Sequence, residues 1–173
     1  GSLPLVGNDP EAARARIDRA VDDLDLTVKH IRTAIFGLEE SQAEGSGLRT
    51  QILAVTQEAA SSLGFEPRVL FDGPVDTGIA APIATELLAA LREALSNAAR
   101  HASASTVDVE VFAEPDAVVL RVVDDGVGPP DPETPRGLGL DNLTARARKL
   151  GGTFGLRPGA SKGTIAEWRV PRA

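Results

Sequence analysis

Apolar residues at Ile17, Val21, Leu24, Val28, Ile31, Ile35 and Leu38 recur with spacings that alternate four and three. This is a heptad seam, the pattern of a coiled coil or helical bundle, and it lasts about three repeats. The residues before it supply a helix start: Asp9 as N-cap, Pro10 at the first helical position and Glu11 in the first turn. The stretch EESQAEGSG, 39–47, is polar and glycine-bearing and predicts a linker. Beyond it the period changes. A helix is predicted over 48–63 with Gly64 as its stop, followed by PRVLFDGP as a short strand and turn. Pro82 opens another helix that runs to about 102. STVDVEVFAEPDAVVLRVVDDG reads as two β-rich runs around an EPDA turn, a hairpin. A helix over 138–150 ends at Gly151 and Gly152, and TFGLRPG and GTIAEWRV then read as a final pair of strands.

These elements divide the chain into a leader, 1–8, whose Gly1 and Ser2 look like a cloning scar, a long helix, 9–40, a linker, 41–47, and a globular part, 48–173. The globular part is expected to be an α/β (α+β) two-layer sandwich, with helices over one face of a mixed, largely antiparallel sheet. Strands and helices do not alternate strictly, which argues against a Rossmann fold.

Composition narrows the chemistry. With five Phe, one Trp and no Tyr, the core must be built from Leu, Ile, Val and Ala, and base-stacking platforms are not expected. A net charge of −7 argues against general nucleic-acid or membrane-surface binding. There is no cysteine for a disulfide or thiolate site, and two histidines, His30 and His101, do not suggest a multi-histidine zinc centre. No apolar run approaches the roughly 18 residues of a membrane span, and no signal peptide is visible. A soluble cytoplasmic fragment of a protein that extends upstream is the simplest expectation.

The helix LREALSNAARHA, 91–102, carries a polar column. At about 100° per residue, Glu93, Asn97, Arg100 and His101 fall within roughly a quarter-turn, while Leu87, Leu88, Leu91 and Leu95 gather opposite. Such a column is either a solvated face or the wall of a site. In VVDDGVG, Val118, Leu120, Val122 and Asp124 share one face of a strand, so Asp124 continues a core-facing row with a carboxylate that needs donors. Gly126 and Gly128 let the backbone approach a flat ligand. In RGLGLDNLTARARKL, Gly137 and Gly139 stand before a helix, where free N–H groups and the positive helix end suit phosphates. Gly163 and Thr164 open the last strand. Singly, each of these motifs is also an ordinary turn or an ordinary element start.

Their order and spacing are specific. A polar-columned helix, a hairpin ending in DxGxG, a short loop, GLGL opening a helix and GT on a strand resemble the GHKL ATPase superfamily of gyrase-type topoisomerases, large heat-shock chaperones, histidine kinases and MutL, over about 82–171. The resemblance implies the Bergerat fold, ATP and Mg²⁺. It implies that Asn97 ligates Mg²⁺ and that Glu93 polarises the attacking group or holds a metal-bound water. Arg100 and His101 would lie by the phosphates. Asp124 would accept from the adenine amine, with Gly126 and Gly128 shaping that wall. Gly137, Gly139 and Leu140 would present phosphate-binding backbone, and Thr164 would support the adenine side. Phosphoryl transfer asks mainly for alignment, a metal and charge stabilisation, which this set can supply.

Only PPDPETPR separates Gly128 from Gly137, too short for the lids of gyrase-like members and chaperones. GLGLDNLTARARKLGG and GTIAEWRVP resemble the NarX/DesK-like sensor histidine kinases, and DDLDLTVKHIRTAIFGLEE resembles the second helix of their dimerisation and phosphotransfer domain. The likeness extends to the DosS/DosT-type haem-based oxygen sensors, whose haem would sit in a sensor region outside this sequence. The implied partners are the phosphoacceptor helix of the same kinase, a second copy in the full-length homodimer and a response regulator, with neither nucleic acid nor membrane. One departure matters: the family's acceptor histidine lies in an RDLHD-like helix that has no counterpart here. His30 reads as an ordinary helix-surface histidine, so the chain is expected to bind ATP without phosphorylating itself in cis. The alternatives are a non-catalytic regulatory ATP-binding module and an anti-sigma-type serine kinase.

Overall fold

A computed structural model describes residues 47–131 and 137–172. The chain divides at Gly45 and Ser46 into two units, and every described element belongs to the second. The heptad helix at 9–40 and nearly all of the 41–47 linker lie outside the described residues, as does Arg136.

Helix α1, Leu48–Leu63, ends as its sequence requires: Gly64 takes a left-handed φ of 83° and donates its N–H to the Ala60 carbonyl at 2.8 Å. Its start has no side-chain cap of its own. Asp76, from the four-residue turn α2, Val75–Gly78, accepts the Arg49 N–H at 2.9 Å and does that work from elsewhere in the chain. Strand β1, Arg68–Asp72, lies between these helices in sequence. Helix α3, Ala81–Asn97, has Pro82 in its first turn and buries Leu87, Leu88, Leu91 and Leu95, the predicted apolar face.

The hairpin is formed by β2, Val107–Ala113, and β3, Ala117–Asp124, paired antiparallel from Val107↔Asp124 to Ala113↔Val118. In β2 buried and half-buried residues alternate strictly, whereas β3 also buries Val119 because it runs through the middle of the sheet. Helix α4, Leu138–Lys149, packs through Leu143 and Ala147 and leads into β4, Thr153–Pro158, and β5, Thr164–Pro171. The five strands stand in the order β1-β2-β3-β5-β4, with β1 parallel to β2 and every other pair antiparallel. Val109, Val111, Val118, Leu120, Trp168 and Val170 on one sheet face form a single core with Ile52, Leu87, Leu91 and Leu143 from the helices. This is the expected two-layer sandwich. The opposite face carries ion pairs instead, among them Arg121 with Glu167 at 2.6 Å; the Arg121 hydrogen bond holds the Glu167 carboxyl below its ordinary range.

The helix at 82–102 differs from its expected form at the end. The α-helix stops at Asn97, and Ala98–Ala102 form a π-helical turn closed by Ser103 at a left-handed φ of 49°. A π-turn holds more residues per turn, so side chains after Asn97 lag behind their places on an α-helical wheel. The column read from 100° steps therefore holds for Glu93 and Asn97, within α3, and does not by itself place Arg100 and His101, which stand on the π-turn.

Candidate functional site

Two clusters form at this end of the sheet. The first lies where β3 ends. Asp124 is 8% exposed, and its Oδ1 accepts the Gly126 N–H at 2.9 Å and the Thr164 N–H at 3.2 Å. Both bonds fall on one oxygen, so Oδ2 is left to accept from a ligand. The close approaches need glycine. A Cβ on Gly126 would collide with the Ala102 carbonyl oxygen, to which the Val127 N–H donates at 2.9 Å. A Cβ on Gly163, whose φ is +80°, would collide with the Asp124 carbonyl oxygen. Gly128, at φ +95°, faces the Gly163 carbonyl.

Asp125 ties this cluster to the chain beyond the π-turn. Its Oδ1 accepts the Ser105 and Thr106 N–H groups at 2.7 and 2.9 Å, and Lys162 Nζ lies 3.3 Å from Oδ2. The Thr106 and Ser105 N–H groups, with Lys162 beside them, bring the Asp125 carboxyl down to about 2. The motif reading assigned Asp125 no role. Only the approach of 105–106 shows its task, although two adjacent acids at a strand end were a signal that both needed donors.

The second cluster lies between α3 and α4. Glu93, 8% exposed, and half-buried Asn97 face Gly139: a Cβ there would stand 2.5 Å from Glu93 Oε1 and 3.2 Å from Asn97 Oδ1. Gly139 thus lets the start of α4 close down on a carboxylate and an amide oxygen. It lies within the first turn of α4 rather than before it, and Gly137 is the N-cap. The Leu140 N–H is already donated to the Gly137 carbonyl at 3.1 Å. Phosphate donors at this helix end would therefore come from the N–H groups ahead of Leu140.

The π-turn joins the clusters, since Asn97 precedes it and the Ala102 carbonyl that holds the DxGxG loop ends it. Asp124, Gly126, Gly128 and Thr164 are brought together at one end; Glu93, Asn97 and Gly139 are brought together at the other. Arg100 and His101 stand exposed on the turn between, and Gly137 is exposed at the rim. The oxygen donors of Asn97 and Glu93 suit Mg²⁺. Among the described residues no three His, Cys, Asp or Glu gather as a metal cage. An ion held here would draw its remaining oxygens from triphosphate and water.

Sequence reasoning also missed Glu86, 7% exposed, whose carboxylate accepts from Arg146 at 2.7 Å and from Lys149 at 2.6 Å, both on α4. Burial pushes its carboxyl up, but the hydrogen bonds from Lys149 and Arg146 outweigh this and hold it below the ordinary range. The signal was available: Glu86 lies seven residues before Glu93, on nearly the same helical face.

Residues 83–173 match the family of histidine kinase-, DNA gyrase B- and HSP90-like ATPases. The chain belongs to that family. As a member it is similar to the nitrate/nitrite sensor protein NarQ of Escherichia coli, with 28% identity over 95% of the chain and 28% of NarQ. It is also similar to the sensor histidine kinase NarS of Mycobacterium tuberculosis, with 32% identity over 80% of the chain and 33% of NarS. The chain thus spans about a third of the length of these relatives. Its fold matches the ATP-binding domain of PrrB from Mycobacterium tuberculosis, with a TM-score of 0.57 and 24% identity over 72% of the chain and 93% of that domain.

Proposed function

We propose that this ATPase-family chain is the ATP-binding catalytic domain of a two-component sensor histidine kinase. It transfers the γ-phosphoryl group of ATP to a histidine on a dimerisation helix, for relay to a response regulator. The observation that carries this reading is the pairing of two complementary clusters along one helix and its π-turn. At the strand end, Asp124 Oδ2 accepts from the adenine amine while Oδ1 holds Gly126 and Thr164 in place. At the helix pair, Asn97 Oδ1 is the Mg²⁺ ligand, and Glu93 orients the attacking imidazole or a metal-bound water. The start of α4 lies against them through Gly139 and presents backbone N–H groups to the phosphates. Mg²⁺, when bound, neutralises charge on the β- and γ-phosphoryl oxygens. Arg100 and His101, exposed on the turn between the clusters, are the cationic and imidazole groups this reading assigns to the phosphates.

The sensor histidine kinase NarS and the nitrate/nitrite sensor protein NarQ favour this branch of the family. A cytoplasmic catalytic domain that works as a homodimer is part of the same proposal. Among the described residues no helix is long and apolar enough to cross a membrane. The finer likeness to DosS/DosT-type sensors rests on the sequence at 22–40, 137–152 and 163–171.

Calorimetric titration of Mg-ATP into the chain, then incubation with labelled ATP and a separately supplied acceptor-helix protein, tests the proposal. Saturable binding with transfer to histidine, seen as an acid-labile product, is the expected result. Occupancy without transfer would indicate a regulatory nucleotide-binding module, and an acid-stable product would indicate a serine kinase of the anti-sigma type.

A further inference from the structure

Helices α3 and α4 touch at two polar points. At one, Gly139 lies against Glu93 and Asn97. At the other, Arg146 and Lys149 grip Glu86. Seven residues separate Gly139 from Arg146, and seven separate Glu86 from Glu93. The helices therefore run antiparallel, and each point lies about 10 Å from the other along both axes. Leu143 between them, and Ala147 between Arg146 and Lys149, are buried in the core. Apolar contacts of this kind are non-directional and allow a helix to slide or roll at modest cost. A carboxylate held by two cations from one helix is directional, and it prescribes both the axial register and the rotation of α4.

We infer that Glu86, with Arg146 and Lys149, is a positioning clamp for triphosphate binding: it sets the register in which the start of α4 meets Glu93 and Asn97. The inference rests on the proposed nucleotide site. Glu86 touches no substrate in this scheme and acts through α4. Glu86 is 7% exposed, and its partners Arg146 and Lys149 keep much of their own side chains in solvent; an ion pair of this kind is weak evidence for stability alone, so a role in geometry accounts for it better. The strand-end cluster is held by backbone bonds to Asp124 and Asp125 that do not involve α4. Loosening the clamp should therefore weaken phosphate recognition and spare recognition of the nucleoside.

The test is calorimetry of the whole chain with Mg-ATP and, separately, with adenosine, for the wild type, Glu86→Gln, Arg146→Gln, Arg146→Lys and Arg148→Gln. Glu86→Gln and Arg146→Gln should raise the Kd for Mg-ATP about tenfold while the Kd for adenosine stays within about twofold. Arg146→Lys, which keeps a cation, should restore most of the loss. Arg148→Gln removes an exposed positive charge from the same helix and should change neither Kd. Equal weakening of both ligands would mark a general loss of stability and overturn the clamp, as would unchanged Mg-ATP binding in Glu86→Gln. Arg148→Gln weakening Mg-ATP as much as Arg146→Gln would replace the clamp with simple charge attraction. Arg146 is only part-buried, so its variants carry the test should Glu86→Gln not fold. A wild-type chain that bound no Mg-ATP, or bound it equally well as Asn97→Ala, would overturn the site itself and the clamp with it.

Discussion

At the strand end, Asp124 and Asp125 gather the N–H groups of Gly126, Thr164, Ser105 and Thr106 into one knot of backbone. At the helix pair, by contrast, Glu93 and Asn97 meet Gly139 only because two helices lie side by side. The first arrangement is built from main-chain donors and glycines that admit almost no displacement. The second depends on side chains and on helix register. A flat purine with a fixed hydrogen-bonding edge suits the first, since its partner atoms must stand still. A metal-chelated triphosphate suits the second, where a carboxylate and an amide oxygen lie against the start of α4.

Four changes probe that contrast, taken from the largest expected effect. Gly163→Ala places a Cβ against the Asp124 carbonyl at a φ of +80°. It should cost about 3 kcal/mol of stability in denaturant unfolding, and an unchanged midpoint would show that the knot can yield. Asn97→Ala acts at the pliable end. It should weaken Mg-ATP by about a hundredfold and abolish the difference between titrations with and without EDTA, with the thermal transition preserved. Equal affinity would remove Asn97 from the metal.

Asp124→Asn keeps the Oδ1 that holds Gly126 and Thr164 but turns an amide donor toward the adenine amine. ATP should weaken about tenfold, whereas inosine triphosphate, which lacks that amine, should change little. Equal losses for both nucleotides would detach Asp124 from the purine. The smallest effect concerns Asp125. Its carboxyl is depressed from 3.8 to about 2 in the folded chain, so its contribution is complete above pH 3.8 and is lost as pH falls toward 2. Glu86 and Glu167 are also lowered and add to acid sensitivity. The difference between wild type and Asp125→Asn in Tm, measured from pH 5 down to 2, isolates Asp125: the variant should have the shallower acid slope. Identical slopes would mean that Ser105 and Thr106 do not depend on its charge.

Local pattern determined the elements. The four-and-three spacing of leucines placed α3, alternation placed the hairpin from Val107 to Asp124, and Gly64 and Gly151 marked helix ends where the backbone turns to positive φ. It also singled out Asp124, because a carboxylate in a core-facing row must find donors, and Gly126, although for a ligand's approach, whereas in the structure it is the Ala102 carbonyl that lies against it. What tertiary structure alone decided has a common physical cause: the partners are far apart in sequence and their energies arise only on packing. Glu86 looked like any helix carboxylate until Arg146 and Lys149 reached it from sixty residues away. Asp125 found Ser105 and Thr106 only when the sheet brought the π-turn beside β3. The π-turn itself, which carries Arg100 and His101, ends at the Ala102 carbonyl that accepts the Val127 N–H of the DxGxG loop, and no spacing of residues within 91–102 records that contact.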